Sequence, residues 1–205
     1  APGGRSVVRV ANANSLAVHD GPGAEIGRLA LEGSETPLGL SLSRDGRRAI
    51  AAIATGPTPA DCGLVVWDVA SGGRVAMLRP AETRCAVTAR PILSDDGRRA
   101  AMGTFDGQHG RVTAWNPASE NEPVRLRLVD CQPTCLALAR CGRRIAVGTD
   151  KGKVEVWDLD FAGGRLLTRF VAHSGTVTAL AFSPDGRRLA SGGIDAIAMV
   201  WETGD

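Results

Sequence analysis

The chain has 205 residues, 43% of them hydrophobic and 22% charged, enough to bury a core in one or two ordinary domains. Its 24 basic against 22 acidic residues leave a formal charge of +2, too even for a dedicated polyanion binder, and Lys151 and Lys153 are the only lysines. No stretch approaches the ~20 apolar residues of a membrane span and no signal-peptide succession is visible, so the chain reads as soluble, intracellular and, by expectation, cytoplasmic.

From the N-terminus, SVVRV and SLAVHD are two short β-compatible runs forming a partial unit over residues 5–20. GPGAEIG, Gly21 to Gly27, loosely suggests a phosphate loop. It lacks the Gly-Lys-Ser/Thr ending and no βαβ unit of ~30 residues follows, so it reads as a turn. Four longer units follow, over 26–68, 74–116, 123–158 and 165–202. Each carries a Gly-Arg-Arg turn, with its glycine at Gly46, Gly97, Gly142 or Gly186, and each closes on a tryptophan: LVVWD, VTAWN, VEVWD and AMVWE. The glycines are 51, 45 and 44 residues apart, and all four tryptophans of the chain are used this way. Inside a unit the runs are about five residues long, with Gly, Pro or Asp between them, and no amphipathic segment is long enough for a helix. A four-stranded antiparallel unit repeated every 40 to 50 residues is the signature of a propeller blade, so the expected class is all-β.

The last unit, AHSGTVTALAFSPDGRRLASGGIDAIAMVWE from Ala172 to Glu202, resembles a WD40 repeat along its whole length, and LVVWD and VEVWD match the dipeptide that names that family. The resemblance extends over about Arg5 to Glu202. It implies strand a at Val177 to Phe182, strand b at Arg187 to Ser191, strand c at Ala196 to Trp201, and a preceding strand d near Arg165 to Phe170. In total it implies about 18 strands, or four and a half blades, with the first blade lacking its inner strand and the last its outer one. Such ends leave bare strand edges, so the expectation is a partial propeller that belongs to a longer one or is completed by another chain.

The resemblance also implies a structural tetrad of His173, Ser191, Asp195 and Trp201. A Ser, His and Asp together could suggest a hydrolase, but nothing resembles the strained turn that exposes a catalytic serine, and no catalytic residue is assigned. In the preceding unit Val147 and Lys151 replace the serine and aspartate and no histidine stands before the first strand, so the expectation there is apolar packing alone. From the second arginine of each turn to the tryptophan the distance is 19, 16, 13 and 13 residues in the four units. The two insertions, Ala54 to Gly63 and Thr104 to Arg111, would lie as extended loops on one face. With the neighbouring turns they make Asp61, Asp106, Gln108, His109, Asp150, Lys151 and Ile194 the candidate partner-binding residues.

Cys131, Cys135 and Cys141 are spaced C-x3-C-x5-C with no histidine nearby, unlike the paired ligands of structural zinc. With Cys62 and Cys85 they read as reduced thiols, and no metal and no cofactor is expected. The favoured reading is a non-catalytic scaffold that binds other protein subunits in a larger complex, with no small-molecule substrate and no membrane. The alternative is an RNA- or ribonucleoprotein-associated propeller that uses a ring of eight guanidiniums from the Arg-Arg pairs. Acidic Asp45, Asp95, Asp96 and Asp185 beside those pairs, and the absence of interleaved aromatics, weigh against it.

Overall fold

The computed structural model describes residues 6–12, 15–20, 23–33, 35–54, 56, 62–78, 86–119, 121–160 and 163–204. The described residues contain strands and turns and no helix. The first sheet has three strands, β1 (Ser6–Asn12), β2 (Ser15–Asp20) and β3 (Glu25–Ala30). Three four-stranded sheets follow: β4 (Thr36–Leu42), β5 (Arg48–Ala54), β6 (Cys62–Asp68) and β7 (Arg74–Leu78); β8 (Ala86–Leu93), β9 (Ala100–Phe105), β10 (Gly110–Trp115) and β11 (Val124–Leu128); β12 (Pro133–Leu138), β13 (Arg144–Thr149), β14 (Lys153–Asp158) and β15 (Arg165–Val171). The fifth sheet has β16 (Val177–Phe182), β17 (Arg188–Gly193) and β18 (Ala198–Glu202).

Every pairing is antiparallel and joins neighbours in sequence. The inner strands β4, β8, β12 and β16 pack one on the next, so the sheets are radial blades around an axis, and the ring is not closed. A strand alternates its side chains between two faces, so a blade between two others must be apolar on both. β5 shows this: Ile50, Ala51, Ala52 and Ile53 are all fully buried, the odd members against one neighbour and the even members against the other. Four apolar clusters fill the four junctions, and each large aliphatic side chain buried there is worth about 1.5–3 kcal/mol.

The Gly-Arg-Arg turns are built alike. Gly46, Gly97, Gly142 and Gly186 take φ of 70°, 66°, 68° and 71°, a conformation that favours glycine. In three of them a serine hydroxyl (Ser43, Ser94, Ser183) accepts the N–H of the second arginine at 2.9 Å and donates to an aspartate (Asp45, Asp96, Asp185). That aspartate accepts the N–H of the first arginine at 3.0, 3.0 and 3.1 Å. The fourth turn has Ala139 and Cys141 at those two places.

The two arginines of a pair diverge. Arg48 donates to the carbonyl of Gly97 in the next blade (3.3 Å), and a Cβ on Gly97 would meet the Arg48 side chain at 2.8 Å. A Cβ on Gly142 would meet Arg99 at 3.0 Å. Arg48 and Arg99 are therefore struts between blades that call for glycine in the neighbour's turn, whereas Arg144 donates to the carbonyl of Gly204 (2.9 Å) and leaves Gly186 clear.

Among the described residues two non-glycines have positive φ, Asp130 (52°) and Ala196 (61°). Ala196 stands five residues before Trp201, as Gly152 (φ 70°) stands five before Trp157. A side chain in this conformation costs about 1–2 kcal/mol. Ala196→Gly is expected to stabilise the chain by about 1 kcal/mol once the greater flexibility of the unfolded glycine is counted, measured as a higher urea midpoint with an unchanged m-value.

Candidate functional site

His173, Ser191, Asp195 and Trp201 meet in one chain of hydrogen bonds. The Trp201 indole N–H donates to Ser191 Oγ (2.9 Å), Ser191 Oγ lies 2.8 Å from His173 Nε2, and His173 Nδ1 lies 3.0 and 3.1 Å from the two Asp195 oxygens. An indole can only donate and a carboxylate can only accept, so the protons run one way, from Trp201 through Ser191 and His173 to Asp195. Asp195 also accepts the N–H groups of Ser174 (3.1 Å) and Ile197 (3.2 Å). Burial works to raise its pKa, but these two donors and the imidazole outweigh it and hold the carboxyl below its usual range. Ser191 and His173 are each 3% exposed, so the serine is occupied on both sides and closed to a substrate.

The remaining tryptophans differ, and the expectation of apolar packing alone in the preceding blade needs correction. The Trp157 indole N–H donates to Glu155 Oε2 (2.9 Å), and Glu155 Oε1 accepts Arg169 Nε (2.7 Å). Glu155 is 1% exposed, so a buried carboxylate paired with a cation replaces the serine and histidine. Burial first, then the charges of Glu155 and Asp150, push the Cys131 thiol up. Two signals in the sequence point to this pair: Glu155 lies two before Trp157 and so shares its face, and Arg169 is its direct cross-strand partner. Trp67 is fully buried with its indole N–H unpartnered, and the Arg74 guanidinium, held by Glu35, lies 5.8 Å from the ring centre.

The turns between the second and third strands of each blade lie at the same end as the loops between blades. The insertion Thr104 to Arg111 is not an extended loop: the ladder of β9 and β10 runs out to Phe105 and Gly110, leaving a turn of Asp106 to His109. Asp106 builds that turn by accepting the N–H groups of His109 (2.7 Å) and Gln108 (2.8 Å), which hold its carboxyl below the usual range, and it pairs with Arg111 at 3.0 Å. Gln108 is exposed and the His109 side chain half-buried. In the other insertion the ladder reaches Ala54 and Cys62, and Asp61 lies outside the described residues.

Across the fourth and fifth blades, Asp150 accepts the N–H of Gln132 (2.8 Å), the Thr176 hydroxyl donates to the Asp150 carbonyl (3.4 Å), and the N–H of Ile194 donates to the Thr176 carbonyl (3.0 Å). These bonds stitch the rim together and leave Lys151 and Ile194 pointing outward, with side-chain exposure of 62% for Lys151 and 67% exposure for Ile194. Three exposed apolar residues that the sequence did not single out share this end: Val129, Val171 and Ile197.

At the opposite end Arg44 and Arg140 pair with Asp95 (3.4 and 3.7 Å), and three members of the Arg-Arg pairs are held by carboxylates: Arg99 by Asp160 (3.6 Å), Arg143 by Asp158 (3.1 Å) and Arg188 by Glu202 (3.0 Å). A ring of eight unpaired guanidiniums is therefore absent among the described residues, which disfavours the nucleic-acid alternative. Nor does a helix follow Gly21 to Gly27: among the described residues, Gly23 and Ala24 lead straight into β3.

Ser191→Ala is expected to cost about 1–3 kcal/mol in urea unfolding, since it strands both the indole and the imidazole. The Asp195 carboxyl has a lower pKa folded than unfolded, so its contribution is full above the unfolded value of about 3.9 and lost as pH falls through the folded value. Asp195→Asn should flatten the acid side of the thermal midpoint profile below about pH 4 and leave the slope near pH 7 unchanged.

Known proteins match this frame. The WD40 family (WD domain, G-beta repeat) matches residues 164–202. Protein groucho of Drosophila melanogaster is 28% identical over 142 residues, covering 67% of this chain and 19% of groucho, so the chain spans about a fifth of that relative. Among solved structures, hydrazine synthase of Kuenenia stuttgartiensis superposes with a TM-score of 0.72 at 17% identity, covering 92% of this chain and 65% of that one. The β-propeller domain of Cps50 (Swd1) from Myceliophteria thermophila superposes with a TM-score of 0.65 at 20% identity, covering 96% and 62%. At such identities the two structures speak for the fold alone. Four-stranded antiparallel blades closing on tryptophan make the fold an open β-propeller, and its terminal unit, residues 164–202, is similar to a WD40 repeat.

Proposed function

We propose that the chain is a non-catalytic WD-repeat scaffold that holds other protein subunits of a complex on the rim formed by Lys151, Ile194 and the neighbouring turns. The observation that carries this reading is the pairing of exposure with rigidity. Ile194 and Lys151 face solvent while the backbone beneath them is fixed by the Gln132, Asp150 and Thr176 hydrogen bonds. A surface held rigid before binding loses little ordering entropy on association, and a few apolar anchors then dominate affinity. Asp106 contributes by shaping its turn, while Gln108 and His109 offer polar contacts at the third blade. The four described cysteines, Cys62, Cys131, Cys135 and Cys141, are free thiols, which supports a reducing, intracellular setting.

The double substitution Ile194→Asp and Lys151→Glu should weaken binding of the copurifying protein subunit at least tenfold, or about 1.4 kcal/mol, with the thermal midpoint unchanged. Arg98→Glu, at the opposite end, should leave binding intact. Equal binding by both variants sinks this reading. RNA binding that falls steeply with salt and is lost in Arg98→Glu would replace it with the nucleic-acid one.

A further inference from the structure

The outer half of the third blade gathers arginine. On the face turned toward the second blade, the ladder sets Thr104, Arg111 and Arg127 in one row and Met102, Thr113 and Arg125 in the next. Met102 and Trp115 of that face pack with Leu64 and Val66 of the second blade, which fixes its direction. Arg111 and Arg127 are therefore directly opposed across β10 and β11, and Arg125 follows on the same side of β11. Like charges at directly opposed positions repel.

The neighbouring blades avoid this at the same places. Two residues before the tryptophan, the fourth blade has Glu155 opposite Arg169, bonded at 2.7 Å, and the second blade has Val65 opposite Met77. The third keeps the arginine as Arg125 but has Thr113 where the glutamate stands. Four residues before the tryptophan, Arg111 and Arg127 take the places of Lys153 and Val171. The carboxylates nearby leave the excess standing. Asp106 pairs with Arg111 at 3.0 Å, but it already accepts two backbone N–H groups. Glu122 reaches Arg125 at 3.6 Å with its side chain 89% exposed, a pair that water screens heavily. Arg127 is exposed and forms no ion pair among the described residues.

The spacing selects the ligand. Opposed Cα atoms lie about 4.5–5.5 Å apart and diagonal ones about 7–8 Å, so three long side chains rise from one small triangle and can converge on a single anion. A carboxylate offers one negative charge and two oxygens, enough for one guanidinium fork. A phosphomonoester offers nearly two charges and three terminal oxygens, which suits several. A nucleic-acid strand would need the basic track to continue, whereas beside Thr113 the face is closed by buried Met102 and Trp115.

We propose that Arg111, Arg125 and Arg127 form a binding site for a phosphoryl group, carried on a phosphorylated side chain of a partner protein. Arg111 adjoins the turn of Asp106 to His109, so the site opens at the same end as the rim. That a protein carries the group rests on the scaffold reading; the affinity for the phosphoryl group does not.

The test titrates phenyl phosphate into the purified chain and reads the thermal midpoint, with benzoate at equal ionic strength as the comparison. Phenyl phosphate should raise the midpoint and benzoate leave it unchanged. Arg125→Gln combined with Arg127→Gln should weaken phenyl phosphate binding at least tenfold, while the ligand-free midpoint stays level or rises because the repulsion is gone. Arg98→Gln, at the other end of the molecule, should bind as the parent does. Treating the copurifying subunit with phosphatase should weaken its binding to the parent chain at least tenfold and leave its binding to the double variant unchanged. Equal response to the two anions, or undiminished phenyl phosphate binding in the double variant, overturns the site. Phenyl phosphate binding beside a phosphatase-insensitive partner overturns the partner assignment in favour of a free phosphorylated molecule. Single-stranded RNA that binds more tightly than phenyl phosphate and is lost in the double variant overturns it in favour of nucleic acid. If no protein subunit binds at all, the scaffold reading falls and the phenyl phosphate titration still decides the site.

Discussion

Everything in this molecule depends on the need of a twisted sheet, apolar on both faces, to be covered twice. A blade of alanine, valine and isoleucine such as β4 to β7 cannot stand alone in water, since its central strand has no polar face to offer. It survives by packing Ala51, Ile53, Val65 and Trp67 against the first blade and Ile50, Ala52, Leu64 and Val66 against the third. The repeat in the sequence is a consequence of that need, because each unit must resemble the last closely enough to stack on it.

The polar groups serve the stacking. At one end Ser and Asp side chains absorb the N–H groups that a tight turn frees, and Arg48 reaches across to the glycine of the next turn. At the other end the tetrad ties the entry loop of the fifth blade to its third strand. In the fourth blade Glu155 and Arg169 serve the tryptophan instead. The same indole N–H is satisfied by two different chemistries, and in Trp67 by neither. The architecture tolerates such variation because each indole also contributes a large apolar surface, which is worth more than its single hydrogen bond.

Much of the frame was legible in the chain because strand structure and turn chemistry are local. Composition and the Pro-Asp-Gly turn marked a strand from Val177 to about Ser183, and the WD40 resemblance implied its observed bounds, Val177 to Phe182. The third strand of that blade was read from Ala196, two residues too early, since composition does not reveal that Ala196 turns the chain with a positive φ. His173, Ser191 and Asp195 were implied by the resemblance of the last unit to a WD40 repeat. Glu155 was not, because a charge inside an alternating strand looks like a solvent-facing position until the third blade is laid over it. The insertion at Thr104 looked like a loop for a related reason: residue counting cannot distinguish a longer turn from a longer ladder.

The pairing of each strand only with its neighbours in sequence has a kinetic meaning. No hydrogen-bonded pair waits for a distant segment to arrive, so each blade can assemble from hairpins with little loop-closure entropy, and growth can spread from whichever blade forms first. The stability of such an array approaches a sum over blades and junctions, so a change at one junction is felt mainly by the two blades that share it.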